Sequence, residues 1–374
     1  MSFGTRGSID NPVGEMTLLN PSPLRSNSPR QLDGMSPWRL SVAPMMAWTD
    51  RHCRHFHRLI TRHTRLYTEM VTTGALVHGD VAKHLRHDAA IEQPTALQIG
   101  GSEPEEMAHA ARLAVQWGYD EINLNCGCPS ERVQRGAFGA CLMNEAALVA
   151  DGVKAMLDAV GGTIPLTVKH RIGIDKVERY EFVRDFVGTV AQAGCSVFIV
   201  HARNAWLQGL SPKENREIPP LRYEIVHRLK QEFPDLTICI NGGITDREQI
   251  AKQLGVVDGV MVGRAAYHDP VLMATWDEAF WAASSGSVSV CDDWRLSIEE
   301  RMVAYIEAEH RLHETPWAHA ATHMLGLWNG RPGARAWRRV WSDHRLKSRP
   351  VSEVFDLALK ARLAAQKDPP ARAA

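Results

Sequence analysis

Three polar residues stand at the ends of short apolar runs and have the chemistry to hold a planar heterocycle. They are Gln98, Lys169 and His201. A glutamine amide can pair with the N–H and C=O edge of a heterocycle, and a lysine ammonium can stabilise negative charge on a ring that accepts electrons. Lys169 alone would be typical of a surface residue, and His201 alone of a packed core. Their occurrence together at run ends indicates a cofactor site.

Two glycine-containing segments further along the chain suit a phosphate group. Gly242 and Gly243 precede the helix-capping pattern of residues 245–248, so backbone N–H groups should be free near a helix N-terminus. Gly263 and Arg264 add a second close backbone approach and a cation. A glycine pair alone is typical of an ordinary loop. The two segments together predict a phosphate-binding site.

The cysteines indicate a reducing compartment and a candidate proton donor. There are seven of them, an odd number, and they show no Cys-x-x-Cys spacing, so we predict neither a complete disulfide framework nor a metal site. Cys126 and Cys128 follow another apolar run. Most unpaired cysteines are small buried hydrophobic residues, but a thiol is mostly protonated at neutral pH and can act as a general acid. We expect a cytoplasmic protein.

Eight β-branched runs provide the elements that must position these residues. The segments between them are long enough for a crossover helix and two loops, as parallel strands require. Eight such units predict an α/β fold of the (β/α)8 or TIM-barrel type, whose active site lies at the carboxyl ends of the strands. The runs cover residues 40–43, 66–69, 95–99, 121–125, 166–170, 197–201, 237–241 and 259–263.

Composition divides the chain into three parts. Residues 1–37 hold five prolines and six serines without any regular period, which predicts a flexible tail. Residues 38–285 carry the barrel pattern. Beyond them helical periodicity takes over, with helices expected from Ser297, from Pro316, over residues 335–341 and over residues 352–364. Residues 286–374 are therefore predicted to form an all-helical C-terminal domain.

Charge is balanced over the whole chain but not locally. The 374 residues include 43 Lys and Arg against 43 Asp and Glu, and the 44% hydrophobic content excludes a wholly disordered chain. Residues 331–349 hold seven basic residues and one acidic residue, and a helix there would place Arg335 and Arg338 on one face. Lys213 and Arg216 follow the sixth run, at the rim of the predicted site. These cations favour a phosphate-binding cleft for nucleic acid over a merely solvated face.

No segment has the apolar length of a membrane span, and the N-terminus lacks the layout of a signal peptide. We therefore expect a soluble protein with no membrane partner.

Several segments of this sequence resemble the tRNA-dihydrouridine synthases. They are SVAPMMAWTD (41–50), NLNCGCPSERVQRGAFGACLM (123–143), VKHRIG (168–173) and HAR (201–203). Two more, WLQGLSPKENR (206–216) and PGARAWRR (332–339), resemble the A subfamily in particular. The resemblance covers about residues 38–345 and leaves the N-terminal tail outside.

This resemblance implies an FMN enzyme that reduces the C5=C6 bond of uridines in the tRNA D-loop, at positions 20 and 20a, with NADPH as the electron donor. Hydride would pass from the flavin to C6. Cys128, the cysteine of the Gly-Cys-Pro motif, would protonate C5, whereas Cys126 falls where the family tolerates apolar residues and is expected to pack. A uridine would have to flip out of its loop to enter the barrel. We expect a monomer.

The resemblance also implies which residues touch each partner. The implied flavin contacts are Pro44, Met45, Met46, Gln98, Lys169, His201, Asn241, Gly242, Gly243, Gly263 and Arg264. The implied tRNA contacts are Asn125, Lys213, Arg216, Arg335 and Arg338.

Two other functions compete with this interpretation. A flavin barrel that acts on a free pyrimidine, like the dihydroorotate dehydrogenases, would share the glycine phosphate site but would explain neither the arginine-rich helical domain nor the Gly-Cys-Pro loop. A flavin-free RNA-binding barrel would be expected to lose some of the site residues, yet Gln98, Cys128, Lys169 and His201 are all present. The colour of the purified protein and its activity on tRNA or free pyrimidine would separate the three.

Overall fold

Eight parallel strands form a barrel at the centre of the molecule. The protein is described by a computed structural model that covers residues 35–177, 179–281 and 288–367, apart from the side chains of residues 132 and 135. The strands are β1 (Leu40–Val42), β2 (Leu66–Thr72), β3 (Thr95–Gly100), β4 (Glu121–Cys126), β5 (Leu166–Arg171), β6 (Val197–His201), β7 (Thr237–Asn241) and β8 (Gly259–Val262). Sequence neighbours pair throughout, β1 pairs with β8, and a bridge between Ser41 and Arg65 closes the ring. The predicted (β/α)8 barrel is confirmed.

The strands match the eight predicted runs to within one residue, except that β2 continues to Thr72. A register shift between Tyr67 and Met70 lets β2 keep pairing with β3 beyond the bulge. Glu69 lies in this bulge, and its carboxylate accepts the N–H of Ala47 at 2.5 Å. Ala47 has φ of +62°, so this bond holds the loop after β1 in a conformation that alanine rarely adopts.

Helices surround the barrel, and the longer ones bury one face. They are α1 (Arg51–Ile60), α2 (Thr73–His78), α3 (Val81–Leu85), α4 (Ala89–Glu92), α5 (Pro104–Gln116), α6 (Glu131–Arg135), α7 (Ala146–Val160), α8 (Tyr180–Gln192), α9 (Tyr223–Glu232), α10 (Arg247–Leu254), α11 (Arg264–His268) and α12 (Trp276–Trp281). Val153, Phe186 and Val226 exemplify the buried faces. A smaller cluster that includes Tyr67 and Met261 fills the barrel interior. Burial of a valine, phenylalanine or methionine side chain of this kind contributes about 1.5–3 kcal/mol to the stability of the fold.

The helix after β7 begins one residue later than the capping pattern predicted. Asp246, rather than Thr245, is the N-cap of α10, and its carboxylate accepts the N–H of Gln249 at 2.8 Å. The side chain of Gln249 in turn accepts the N–H of Thr245 at 3.1 Å. The predicted box between Thr245 and Glu248 is wrong because an aspartate carboxylate is a good N-cap beside the positive end of a helix.

The described residues from 288 onward form helices and turns. The α-helices are α13 (Asp292–His313), α14 (Trp317–Ala321), α15 (Ala334–Trp341) and α16 (Val351–Lys367). Three of them begin within one residue of the predicted starts. The predicted start at Ser297 is wrong, because Cys291 is the N-cap of α13 and Asp292 and Asp293 occupy its first turn.

The predicted domain boundaries fall largely outside the described residues. The boundary between residues 285 and 286 lies within residues 282–287, and the predicted tail at residues 1–37 lies outside except for its last three residues.

Polar contacts join the C-terminal helices to the barrel at α1. Arg51 pairs with Glu309 at 2.5 Å, and the carboxylate of Asp50 lies 3.1 Å from His323 Nε2. Because α1 follows the loop after β1, these contacts place the C-terminal helices beside the carboxyl end of the barrel.

All seven cysteines are free. Within the described residues, no cluster of His, Cys, Asp and Glu side chains is suited to a metal ion, and no helix has both the length and the apolar character needed to cross a membrane.

Candidate active site

A cavity of about 570 Å³ opens at the carboxyl ends of the eight strands. Each strand contributes to its lining, either directly or through the loop that follows. All the predicted flavin contacts line it, namely Pro44, Met45, Met46, Gln98, Lys169, His201, Asn241, Gly242, Gly243, Gly263 and Arg264. Cys128, Asn125 and Arg216 line it as well. Among the residues that line it we do not find Lys213, Arg335 or Arg338.

The loop after β7 lines the cavity with two glycines, whose backbone atoms no side chain covers. Gly242 has φ of +118° and Gly243 has φ of +70°, a region that residues with a side chain rarely adopt. A Cβ on Gly242 would lie 2.7 Å from His201 Cδ2, and one on Gly243 would collide with Leu221. The hydroxyl of Tyr223 donates to the carbonyl oxygen of Gly242 at 2.6 Å and so fixes the loop. Only glycine fits both positions.

Lys169 and His201 share an electropositive part of the cavity. Lys169 Nζ donates to Asn241 Oδ1 at 3.3 Å, and Asn241 is oriented because its Nδ2 donates to the carbonyl oxygen of Met261 at 2.7 Å. Burial, reinforced by the charge of Arg171, lowers the pKa of Lys169 to about 7. Burial also lowers the pKa of His201 well below its usual value, and the charges of Arg171 and Lys169 add to the effect. At neutral pH the His201 imidazole is therefore neutral.

Arg264 lies at the cavity rim but does not stand alone. Its guanidinium pairs with Glu217 at 2.6 Å, and both side chains are partly exposed. It also donates to the carbonyl oxygen of Arg216 at 3.5 Å. The sequence predicted Arg264 at the site but did not predict its pairing with Glu217, which belongs to the loop after β6.

Side-chain hydrogen bonds hold the loop that carries Cys128. Asn125 Oδ1 accepts the backbone N–H groups of Gly127 at 2.9 Å and of Cys128 at 3.0 Å. The Cys128 thiol points to the hydroxyl of Ser130, 3.5 Å away. Gln134 then fastens the loop to its neighbour, because its amide donates to carbonyl oxygens of both this loop and the loop after β6. The thiol is partly exposed and lines the cavity.

The neighbouring cysteines have different surroundings. Cys126 is completely buried in the core, and burial raises the pKa of its thiol strongly. Cys141 is half-buried and its thiol donates to the carbonyl oxygen of Phe138 at 3.0 Å. Neither residue lines the cavity, so Cys128 is the one of the three that can meet a bound molecule.

A chain of polar side chains inside the barrel orients Gln98. Its Nε2 donates to Asn123 Oδ1 at 2.7 Å, and its Oε1 accepts from Asn125 Nδ2 at 3.1 Å. Asn123 in turn donates to Thr167 at 2.7 Å, and Thr167 donates to Glu121 at 2.6 Å. Sequence reasoning missed this chain, although the alternation of polar residues along β4 was a signal that they point inward.

Arg171 is a second residue that sequence reasoning left without a role. It lines the cavity and donates to three backbone carbonyl oxygens, those of Gly127 at 3.1 Å, Asn204 at 3.1 Å and Asn215 at 2.9 Å. Burial lowers its pKa to about 10, which leaves it charged at neutral pH. Arg171 therefore ties three loops together and adds a cation beside Cys128. Its position two residues after Lys169, on the same face of β5, was the available signal.

Helix α15 presents its arginines on one face, as its sequence predicts, and buries the opposite face. Arg335 and Arg338 are exposed, whereas Trp337 and Trp341 are buried. The two buried indoles donate to one oxygen of Glu299, at 2.6 and 3.1 Å. Burial raises the pKa of Glu299, and the indole hydrogen bonds oppose that rise. This buried carboxylate fixes the rotation of α15 and so the direction of its arginines.

The cavity suits a ligand with an anionic end and a flat apolar part. Its described lining includes the cationic side chains of Lys169, Arg171, Arg216 and Arg264 and no carboxylate. Apolar side chains such as Met45 line the rest. Glycine backbone and cations at the carboxyl ends of the last two strands are the usual phosphate grip of a TIM barrel. The fold and the cavity lining are therefore typical of a barrel enzyme, with cations and glycine backbone where such enzymes bind phosphate.

Comparison with known proteins narrows this class. A family model described as dihydrouridine synthase matches residues 41–363. The chain is 52% identical over 332 residues to a protein of Salmonella typhi named tRNA-dihydrouridine(20/20a) synthase. The matched region covers 88% of this chain and 97% of that protein. Proteins of the same name from Pseudomonas aeruginosa and Synechocystis sp. are 52% and 54% identical, over 91% and 86% of this chain and 98% and 94% of their own lengths. This chain belongs to the dihydrouridine synthase family of flavin-dependent oxidoreductases, and the resemblance seen in its sequence is confirmed.

Proposed function

We propose that this protein uses FMN and NADPH to reduce the C5=C6 bond of uridine at positions 20 and 20a of the tRNA D-loop. The observation that carries this proposal is that Cys128 opens onto the same cavity as the glycine loop and four cations. The names of the relatives support the substrate. We also propose a monomer that works in the reducing cytoplasm, which the free cysteines favour.

The residues of the cavity fit FMN in two parts. The backbone of Gly242, Gly243 and Gly263, with Arg264, would hold the phosphate. Gln98 and Lys169, together with the apolar residues 44–46, would hold the ring. When bound and reduced, the flavin supplies hydride to C6 of the uracil.

Cys128 supplies the proton that completes the reduction. Its S–H bond breaks as a C–H bond forms at C5, which leaves a thiolate on Cys128 and a saturated C5–C6 bond. Lys169, Arg171 and Arg216 are close enough to the thiol for their charges to stabilise that thiolate. Asn125 holds the loop in place through the N–H of Cys128. A positioned general acid of this kind contributes about 10²- to 10⁴-fold to the rate.

The RNA would be held by one cation of the cavity lining and by others outside it. Arg216 lines the cavity, Lys213 is exposed three residues before it, and Arg335 and Arg338 are exposed on α15. We propose that the barrel, residues 38–285, carries the FMN and that residues 286–374 form the tRNA-binding domain. Contacts to phosphates position the RNA, and the uridine flips into the cavity because a stacked base cannot reach it.

Dihydrouridine mapping tests this proposal. The purified protein is incubated with NADPH and an unmodified tRNA transcript, and each uridine is assayed; free uridine and dihydroorotate serve as comparison substrates. We expect a yellow protein that forms dihydrouridine at positions 20 and 20a. Turnover of only the free pyrimidines, or a colourless protein that binds tRNA without reducing it, would contradict the proposal.

A further inference from the structure

A second cavity, of about 510 Å³, lies between the barrel and the C-terminal helices. Its barrel side is formed by Ala47, Asp50 and His52, and its other side by α14 with the residues that follow it and by the end of α15 with the turn that follows. We call it the histidine pocket, because His52, His319, His323 and His344 line it. A pocket of this size can hold a small molecule or one nucleotide.

The histidine pocket and the active-site cavity share a wall. Trp48 lines the active-site cavity and stacks on Tyr267, with ring centroids 4.5 Å apart. The Tyr267 hydroxyl lies 3.2 Å from His323 Nδ1, and the other ring nitrogen of His323 pairs with Asp50 in the pocket wall. One loop, residues 44–50, therefore separates the two cavities, and consecutive nucleotides of one strand could occupy both.

The open side of the pocket presents available hydrogen-bond donors. His319, His344 and Lys347 are exposed, and their side chains form no hydrogen bond or ion pair within the part of the chain that the structure describes. The two nearby carboxylates are already engaged, Asp50 by His323 and Asp343 by Arg345 at 2.7 Å. No metal-binding cluster exists among the described residues, so these histidines are available as donors to phosphate and base oxygens.

We propose that the histidine pocket binds an unpaired nucleotide of the same RNA, next to the uridine that is reduced. His319, His344 and Lys347 contact its phosphate, and the base enters between the loop after β1 and α14. This inference rests on the proposed function. A nucleotide fixed in the pocket sets how far along the strand the active site reaches, so the pocket selects between adjacent uridines.

The test uses the double variant H344A/K347A, which removes two exposed donors. K83A/H84A on α3 removes the same residue types from exposed positions of the outer helical layer and is the control. The substrate is an unmodified tRNA transcript, and dihydrouridine is followed separately at positions 20 and 20a. We expect the KM for tRNA to rise about tenfold in H344A/K347A, with a shallower salt dependence, because fewer phosphates are then neutralised by the protein. We also expect the ratio of the two products to change, and the control to match the wild type.

A binding measurement keeps this inference separate from the proposed function. The holoenzyme is titrated with a uridine trinucleotide and with uridine monophosphate. We expect the wild type to prefer the trinucleotide, and H344A/K347A to lose that preference while the control keeps it. An unchanged preference, KM and product ratio in H344A/K347A would overturn the inference. A wild-type protein that binds the trinucleotide but forms no dihydrouridine would instead refute the proposed function.

Discussion

The proposed reacting groups of this site are each held by a small number of hydrogen bonds. Asn125 shows this most clearly, because its oxygen fixes the Cys128 loop while its nitrogen donates to Gln98 and to the sulfur of Met70. One amide thus positions both the proposed proton donor and the predicted ring contact. Among the described residues, Lys169 forms one side-chain hydrogen bond, to Asn241, and its low pKa follows from burial beside another cation, Arg171. That low pKa has a consequence for cofactor binding.

The affinity of the apoprotein for FMN should fall as the pH rises above about 7. The pKa of Lys169 is about 7 in the free site, and a ring that accepts a hydrogen bond from the ammonium favours the charged form. Above pH 7 binding must therefore take up a proton, which costs up to about tenfold in affinity per pH unit. Fluorescence titration between pH 7 and 9 measures this slope. Lys169→Met should bind FMN more weakly at pH 7 and flatten the slope, whereas a slope unchanged by Lys169→Met would assign the effect to another group.

At the scale of elements, the least expected feature is the carboxylate that organises the C-terminal helices. Glu299 on α13 accepts Trp337 and Trp341 from α15, and its other oxygen accepts Trp328 at 2.8 Å. The sequence predicted the arginine face of α15 because helical spacing alone determines it. It could not predict Glu299 as the anchor of this helix, because the three tryptophans that meet there lie 29, 38 and 42 positions away and no period connects them.

Glu299→Gln should destabilise the C-terminal helices. Glutamine keeps the shape of the side chain, but its NH2 group cannot accept an indole N–H, so at least one buried donor loses its partner. We expect the free energy of unfolding to fall by about 2 kcal/mol. Glu300→Gln, at the exposed neighbouring position, is the control. Denaturant unfolding followed by tryptophan fluorescence measures both, and equal stability of the two variants would show that the indole bonds contribute nothing.

The exposed arginines of α15 are expected to contribute to RNA binding. Replacing Arg335 and Arg338 by alanine should weaken tRNA binding and reduce its salt dependence by roughly one log unit per log salt for each phosphate that is no longer bound. A matched double variant, Arg112→Ala with Lys154→Ala, removes two exposed cations from the paired barrel helices α5 and α7. Filter binding at several salt concentrations compares the two. If both double variants lose the same affinity, the arginines act only through general charge.

For the molecule as a whole, the sequence predicts what depends on local periodicity. The eight strands were predictable because each alternates with a helix, and this placed Gln98, Lys169 and His201 at one end of the barrel. Contacts between distant segments were not predictable. The pairing of Glu217 with Arg264 and the approach of His323 to Asp50 arise only when loops from different strands and domains meet. The side-chain roles and the domain boundaries stay predictions.

The central claim is that the flavin, a uridine of the bound tRNA and the Cys128 thiol meet in one cavity and react there together. The most direct test is single-turnover reoxidation of the reduced holoenzyme by unmodified tRNA without oxygen. Cys128→Ala should still bind FMN, accept electrons from NADPH and bind tRNA, yet reoxidise about 10²- to 10⁴-fold more slowly, because C5 then has no proton donor. Cys126→Ala, in the core, and Cys141→Ala, outside the cavity lining, should reoxidise at rates near that of the wild type. Reoxidation of Cys128→Ala at the wild-type rate, or a slow step in Cys126→Ala instead, would contradict this account.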